Sequence, residues 1–249
     1  MNIISNKAKI GNNVSFGDYV TIYDNVEIGD NSVIESYCEI GYPTELAENQ
    51  PTIIGPNSRV RSHSVLYQGS IFGPQLLTGH GVTVREKTVA GENLQIGTLC
   101  DIQGDCIIGN FVRFHSNVHV GKKTQVGNFV WVFPYVVFTN DPTPPSETLI
   151  GSLIMDYVSI ATMSVVLPGV VIGSHALVGA HSLVSKDVPE GMLVAGVPAQ
   201  VIGPTSKIKL RDGSGSAAYP WTRHFHRGYP PEIVENWKKN FADINNDGP

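Results

Sequence analysis

Phe114-His115-Ser116-Asn117-Val118-His119-Val120 contains one full unit of a six-residue repeat that runs through most of the chain. Stepping by six from Phe114 meets Ile96, Ile102, Ile108, Val120, Val126, Val132 and Phe138, and the same phase reaches back to Ile54. Four residues after each of these stands a second small or apolar residue, such as Cys100, Cys106, Val112, Val118 and Val130. Glycine often follows the first position, as at Gly97, Gly109, Gly121 and Gly127. His115 replaces that glycine and His119 lies four residues on, so two imidazoles interrupt a regular pattern.

An amphipathic helix needs apolar residues at spacings of three and four, and a long half-buried strand needs strict alternation. A six-residue period fits neither. It fits a solenoid in which each hexapeptide is a short strand plus a bend, with about 18 residues to a triangular coil. The expected fold is therefore all-β, a parallel β-helix.

The repeat begins at Ile4 and continues through Ile10, Phe16, Ile22, Ile28, Ile34 and Ile40. Residues 41–53 break the phase and read as a loop. A second break near 139–153 contains Asp141-Pro142-Thr143-Pro144-Pro145. Proline lacks the ladder donor, so this is a loop insertion. The repeat resumes at Ile154 and ends after Val184. Residues 1–203 form the β-helix domain, and 204–249 a C-terminal tail. The tail holds the aromatic and basic run Tyr219 to Arg227, to which the sequence assigns no role. Pro231 then opens a short helix with Ile233, Val234, Trp237 and Phe241 on one side. The terminus at 245–249 is expected to fray.

With 249 residues, 26 glycines, 16% charged residues and a net charge of -5, the chain suits a turn-rich β architecture and lacks a basic nucleic-acid footprint. No apolar run has the length of a membrane span, and no secretory leader is visible, so the expected location is cytoplasmic. Cys38, Cys100 and Cys106 fall at inward positions and are expected to fill core volume.

Residues one coil apart stack. Asp101 then lies under His119, His115 under Phe133, and Asn117 under Tyr135. Arg61, His63, His80 and Thr98 join the same side, and Arg85 and Glu86 follow at the next bend. Histidine suits proton transfer near neutral pH, and an aspartate on one ring nitrogen leaves the other free as a base. Histidines beside Trp131, Phe133 and Tyr135 suggest a cleft at a subunit interface.

The hexapeptides, the coil period and the ending Lys186 to Ala199 resemble the left-handed β-helix acyltransferases. Thr78 to Glu86, His115 to His119 and Tyr135 to Pro142 resemble the branch that N-acetylates nucleotide-linked amino sugars for surface polysaccharides such as O-antigen and capsule. This resemblance implies a left-handed β-helix, a homotrimer with sites between subunits, and acetyl-CoA as co-substrate without a metal. It implies His119, or failing that His115, as base, with Asp101 behind it. It implies acceptor contacts from Arg61, His63, His80, Arg85, Glu86, Asn117, Tyr135, Asn140 and Asp141. Coenzyme contacts are implied for Ala161, Gly179, Ala180, Lys186, Pro198 and Lys207. Sugar O-acetylation, a carbonic-anhydrase-type metal site built on His80, His115 and His119, and a non-catalytic binding trimer are the competing readings.

Overall fold

The computed structural model describes residues 1–246, with side chains described through residue 240. Strands of two to four residues, up to the closing hairpin, build three parallel sheets that wrap one core, the parallel β-helix expected from the repeat, with the left hand that the resemblance implies. The first wall runs from Ile3–Ile4 to Leu183–Val184, the second from Lys9–Ile10 to Val171–Ile172, and the third from Ser15–Phe16 to the closing hairpin. Partners are offset by 18 residues, as in Thr83↔Asp101 and Asp101↔His119.

The two aliphatic positions of each hexapeptide fill the interior, where Ile40, Leu66, Val82, Ile102, Val118 and Val132 are fully or almost fully buried. Burying each such side chain contributes about 1.5–3 kcal/mol. Cys38, Cys100 and Cys106 are unpaired members of this core, and burial raises their thiol pKa values to about 11.

Each bend turns on one left-handed residue three places after the inward aliphatic. Asn93, Leu99, Asp105, Phe111, Asn117, Lys123, Phe129 and Tyr135 occupy this position in succession, with φ between 47° and 67°. The corner residues of successive coils stack into ladders. The corner between the second and third walls begins with Asn13 donating to Asn31 at 3.2 Å. It ends as a column of rings: Phe111 on Phe129 at 5.1 Å, Phe129 on Tyr157 at 5.0 Å, and Tyr157 on His175 at 4.8 Å.

Both insertions leave the corner between the first and second walls. Glu39 pairs with Val65, an offset of 26 where 18 is the coil, and Val137 pairs with Val165, an offset of 28. The hairpin Met192–Gly196 and Ala199–Pro204 closes the helix. The chain then returns along the ring column. Trp221, Tyr229, Val234 and Trp237 form a second core against Phe111. The helix Pro231–Asn246 begins at the expected proline. The Phe241 side chain and residues 247–249 of the expected frayed end lie outside the described residues.

Candidate functional site

The register that builds the walls brings Asp101 and His119 together. They are directly paired on the first wall, and His119 Nδ1 lies 3.2 Å from Asp101 Oδ2. Gln103, two residues further along its strand, donates to the same carboxylate oxygen. The hydrogen bond with His119 holds the Asp101 carboxyl below its ordinary pKa, aided by Gln103 and by the nearby Arg85 and opposed by partial burial. Both side chains are partly exposed, so the pair lies on the outer face of the wall.

His115 does not share that wall. It follows the strand Arg113–Phe114 of the third wall, and the bend Ser116-Asn117 separates it from His119. The stretch expected to form one face wraps a corner. His115 stacks on Phe133 at 4.8 Å with the rings 11° apart, as the coil period predicts. Burial lowers its pKa and favours the neutral ring. Ala161 and Gly179 continue the same outward column, since Phe133 N donates to Ile160 O and Ala161 N to Val178 O, each at 2.9 Å. Ala161 thus stands two coils above His115, with Phe133 between them. Ala180, Lys186, Pro198 and Lys207 are exposed around the hairpin end.

The remaining acceptor residues divide by environment. His63 is a corner residue stacked on Tyr37 at 4.9 Å, and His80 Nδ1 meets Ser62 Oγ at 2.9 Å. Asn117 and Tyr135 supply left-handed bends at φ 60° and 62°. Asn140 packs near the bare backbone of Gly121, two residues past His119. Asp141 organises its own loop, accepting from Ser146 Oγ at 2.7 Å, Ser146 N at 2.8 Å and Thr143 N at 3.0 Å. The Ser146 contacts hold its carboxyl below the ordinary range. Glu86 is completely buried, bound by Arg85 Nε at 3.2 Å with Lys122 Nζ 3.6 Å away, so it ties down a bend.

Sequence reasoning missed a chamber on the third wall. Arg61, Arg113, His115 and Trp131 form one side, and Phe225 and Arg227 of the tail form the other. Trp131 Nε1 donates to Tyr229 Oη at 2.8 Å and latches the tail in place. The aromatic-basic run was the visible signal. Its partner Arg113 carried none, because the tail that buries it is over 100 residues distant in sequence. Among the described residues, no group of three or more His, Cys, Asp or Glu side chains is placed to hold a metal ion. No helix of those residues is long and apolar enough to cross a membrane.

The bacterial transferase hexapeptide family (six repeats) matches residues 7–42. The bifunctional protein GlmU of Nostoc sp. is 28% identical over 204 residues, which cover 70% of this chain and 43% of that protein. A 2,3,4,5-tetrahydropyridine-2,6-dicarboxylate N-acetyltransferase of Staphylococcus aureus is 35% identical over 94 residues, covering 38% and 34%. The chain spans less than half the length of these relatives. The solved Arabidopsis UDP-N-acetylglucosamine acyltransferase superposes with a TM-score of 0.58 at 22% identity, covering 82% of this chain and 72% of that one, and shares the fold.

Proposed function

We propose that this chain, a member of the hexapeptide-repeat acyltransferase family, moves an acetyl group from acetyl-CoA to the amine of a nucleotide-linked amino sugar in surface-polysaccharide synthesis. The observation that carries the reading is the His119–Asp101 pair at 3.2 Å on an outward-facing wall. Asp101 accepts from Nδ1 and fixes the tautomer, leaving Nε2 to take a proton from the attacking amine. The nitrogen adds to the thioester carbonyl, and a backbone N–H or the Asn117 side chain stabilises the oxyanion. Collapse of the intermediate expels the thiolate, which recovers the proton from the imidazolium.

The donor would lie along Ala161, Gly179 and Ala180, with the Val194–Ala199 segment near its adenine and Lys186 or Lys207 near its phosphates. Arg61, His63, His80, Arg85 and Asn140 are the acceptor contacts of this reading, and Tyr135 borders it. A homotrimer is supported by the corner between the third and first walls. Tyr19, Tyr37, Leu99, Tyr135 and Met163 are all at least 47% exposed along it, and a second copy would cover that ridge and shield the dyad from water. The setting of this reading is cytoplasmic.

Thiol release from acetyl-CoA with UDP-, GDP- and dTDP-amino sugars tests the proposal. Equal turnover of the matching hydroxy sugars would instead make the chain an O-acetyltransferase, since the same dyad can deprotonate a hydroxyl. No thiol release and no thermal stabilisation by coenzyme A would defeat the transfer reading outright.

A further inference from the structure

We propose that the chamber between the third wall and the C-terminal tail binds a nucleoside diphosphate group. This site stands on its own residues and does not depend on the transfer reading. Its cavity is about 440 Å³, a size common for small-molecule sites. Three arginines line it, Arg61, Arg113 and Arg227, and no aspartate or glutamate does. The chain as a whole carries a net charge of -5, so this is a local concentration of cations against the general sign.

Arg113 is the decisive residue. It is 5% exposed, and its donors go to Asn93 O, Asn93 Oδ1, Val112 O and Gly228 O, all neutral oxygens. Arg59 and Arg85 are each paired with a carboxylate, Glu35 and Glu86. Arg113 and Arg61 have no such partner among the described residues. A buried charge without a counterion is costly, and an anion entering the chamber would supply one. The terminal N–H groups of Arg113 are committed to those neutral oxygens, so Arg113 acts through its charge, while the planar guanidinium groups of Arg61 and Arg227 can meet phosphate oxygens in two-pronged fashion.

A second cavity of about 320 Å³ adjoins the first and shares His115, Trp131, Phe225 and Arg227 with it. Its other walls include Phe133, Tyr219 and Trp221, so rings replace the cations. Flat aromatic walls beside a cationic chamber suit a base joined through a sugar to phosphates, the base among the rings and the phosphates among the arginines. A bare phosphate would leave the ring slot empty, and a bare base would leave Arg113 unneutralised. The ligand is either the nucleotide half of the sugar acceptor or the adenine nucleotide end of coenzyme A, which share this chemistry.

Isothermal titration of the full chain with UDP, GDP, dTDP, ADP and coenzyme A, and with the matching nucleosides, tests the site. At least one diphosphate should bind roughly tenfold or more tightly than its nucleoside, with affinity falling as salt rises. Arg227→Ala and Arg61→Ala should each weaken it roughly tenfold, while Arg59→Ala on the same wall should not. Far-UV circular dichroism verifies that each variant is folded. Preference for uridine, guanosine or thymidine diphosphate places the acceptor there, and preference for ADP and coenzyme A places the donor there. Nucleosides binding as well as diphosphates, unchanged affinity in both arginine variants, or no heat with any diphosphate at millimolar concentration would each overturn the proposal. Loss of acetyl transfer with nucleotide binding intact would count against the transfer reading alone.

Discussion

Asp101 Oδ2 and His119 Nδ1, 18 positions apart in sequence, are 3.2 Å apart because consecutive coils stack in register. Replacing His119 with Ala should lower kcat by on the order of 10²–10⁴ if Nε2 is the base. Asp101→Asn should cost less and shift the pH–rate profile, because an amide cannot fix the tautomer in the same way. His115→Ala is the comparison on the other side of the corner. Thiol-release kinetics on the three variants decide the matter: near-full turnover in His119→Ala with collapse in His115→Ala would move the base to the third wall.

Glu86 gives a contrasting expectation. Its carboxylate is wholly buried between Arg85 and Lys122. Glu86→Gln takes the anion from Arg85, while Lys122 keeps Asp105 at 3.0 Å, and should destabilise the fold by about 1–3 kcal/mol. Denaturant unfolding reads the loss, and the KM for acceptor should stay near its original value. A large rise in KM with unchanged stability would return Glu86 to the acceptor site.

The period of six was enough to place every wall, because the inward positions and the 18-residue register follow from it directly. Asp101 under His119 and His115 under Phe133 were legible for the same reason. What the period did not reveal was the corner. His115 and His119 occupy outward positions of two different walls, and four residues of sequence hide a full bend between them. The docking of the tail was equally hidden. Trp221 and Trp237 meet Phe111 and Tyr157 through contacts across more than 60 positions, and no local pattern encodes such a pairing.

Corner geometry makes its own forecast. Leu99 holds φ at 58° and is 61% exposed, a conformation that costs a bulky residue on the order of 1 kcal/mol. Leu99→Asn should recover part of that, about 0.5–1 kcal/mol in a urea melt of the isolated subunit, where no second copy covers the ridge. Gly97→Ala should do the opposite, since its added carbon would sit 2.4 Å from the His115 carbonyl carbon. The expected loss is about 1–3 kcal/mol. Equal stability in both variants would mean the bends are set elsewhere.

Two histidines should tie stability to pH. Burial lowers the pKa of His115 and of His175, although Glu190 and Asp156 partly offset it at His175. Their unfolded value is near 6.5. With folded values below that, the unfolded chain takes up protons first as pH falls. The stabilising contribution is therefore complete above about pH 6.5 and is lost as the pH drops through the depressed folded values. His175→Phe extends the ring column beyond Tyr157 and removes one of these groups. Its melting temperature should decline less than the parent's between pH 7 and pH 5, while the two agree at pH 8. A parallel decline would show that His175 takes no part in the acid response.

The tail tests whether the ring column is a docking surface with its own stability. Trp237 is 6% exposed, lies against Phe129 at 5.3 Å and Tyr229 at 4.9 Å, and donates to Tyr157 Oη at 3.4 Å. Trp237→Ala removes a large ring from this small core, a change that typically costs about 3–5 kcal/mol. The β-helix does not depend on the tail for any strand pairing through Pro204, so the loss should be local. Limited proteolysis should cut the variant between residues 205 and 230 much faster than the parent chain, while the far-UV spectrum of the β-helix is retained. Arg113 would then lose Gly228 O as a partner and become accessible from solvent. Nucleotide affinity should fall along with protease resistance, because Phe225 and Arg227 leave the chamber with the tail. Protease resistance equal to the parent's would show that Trp237 does not hold the tail against the wall.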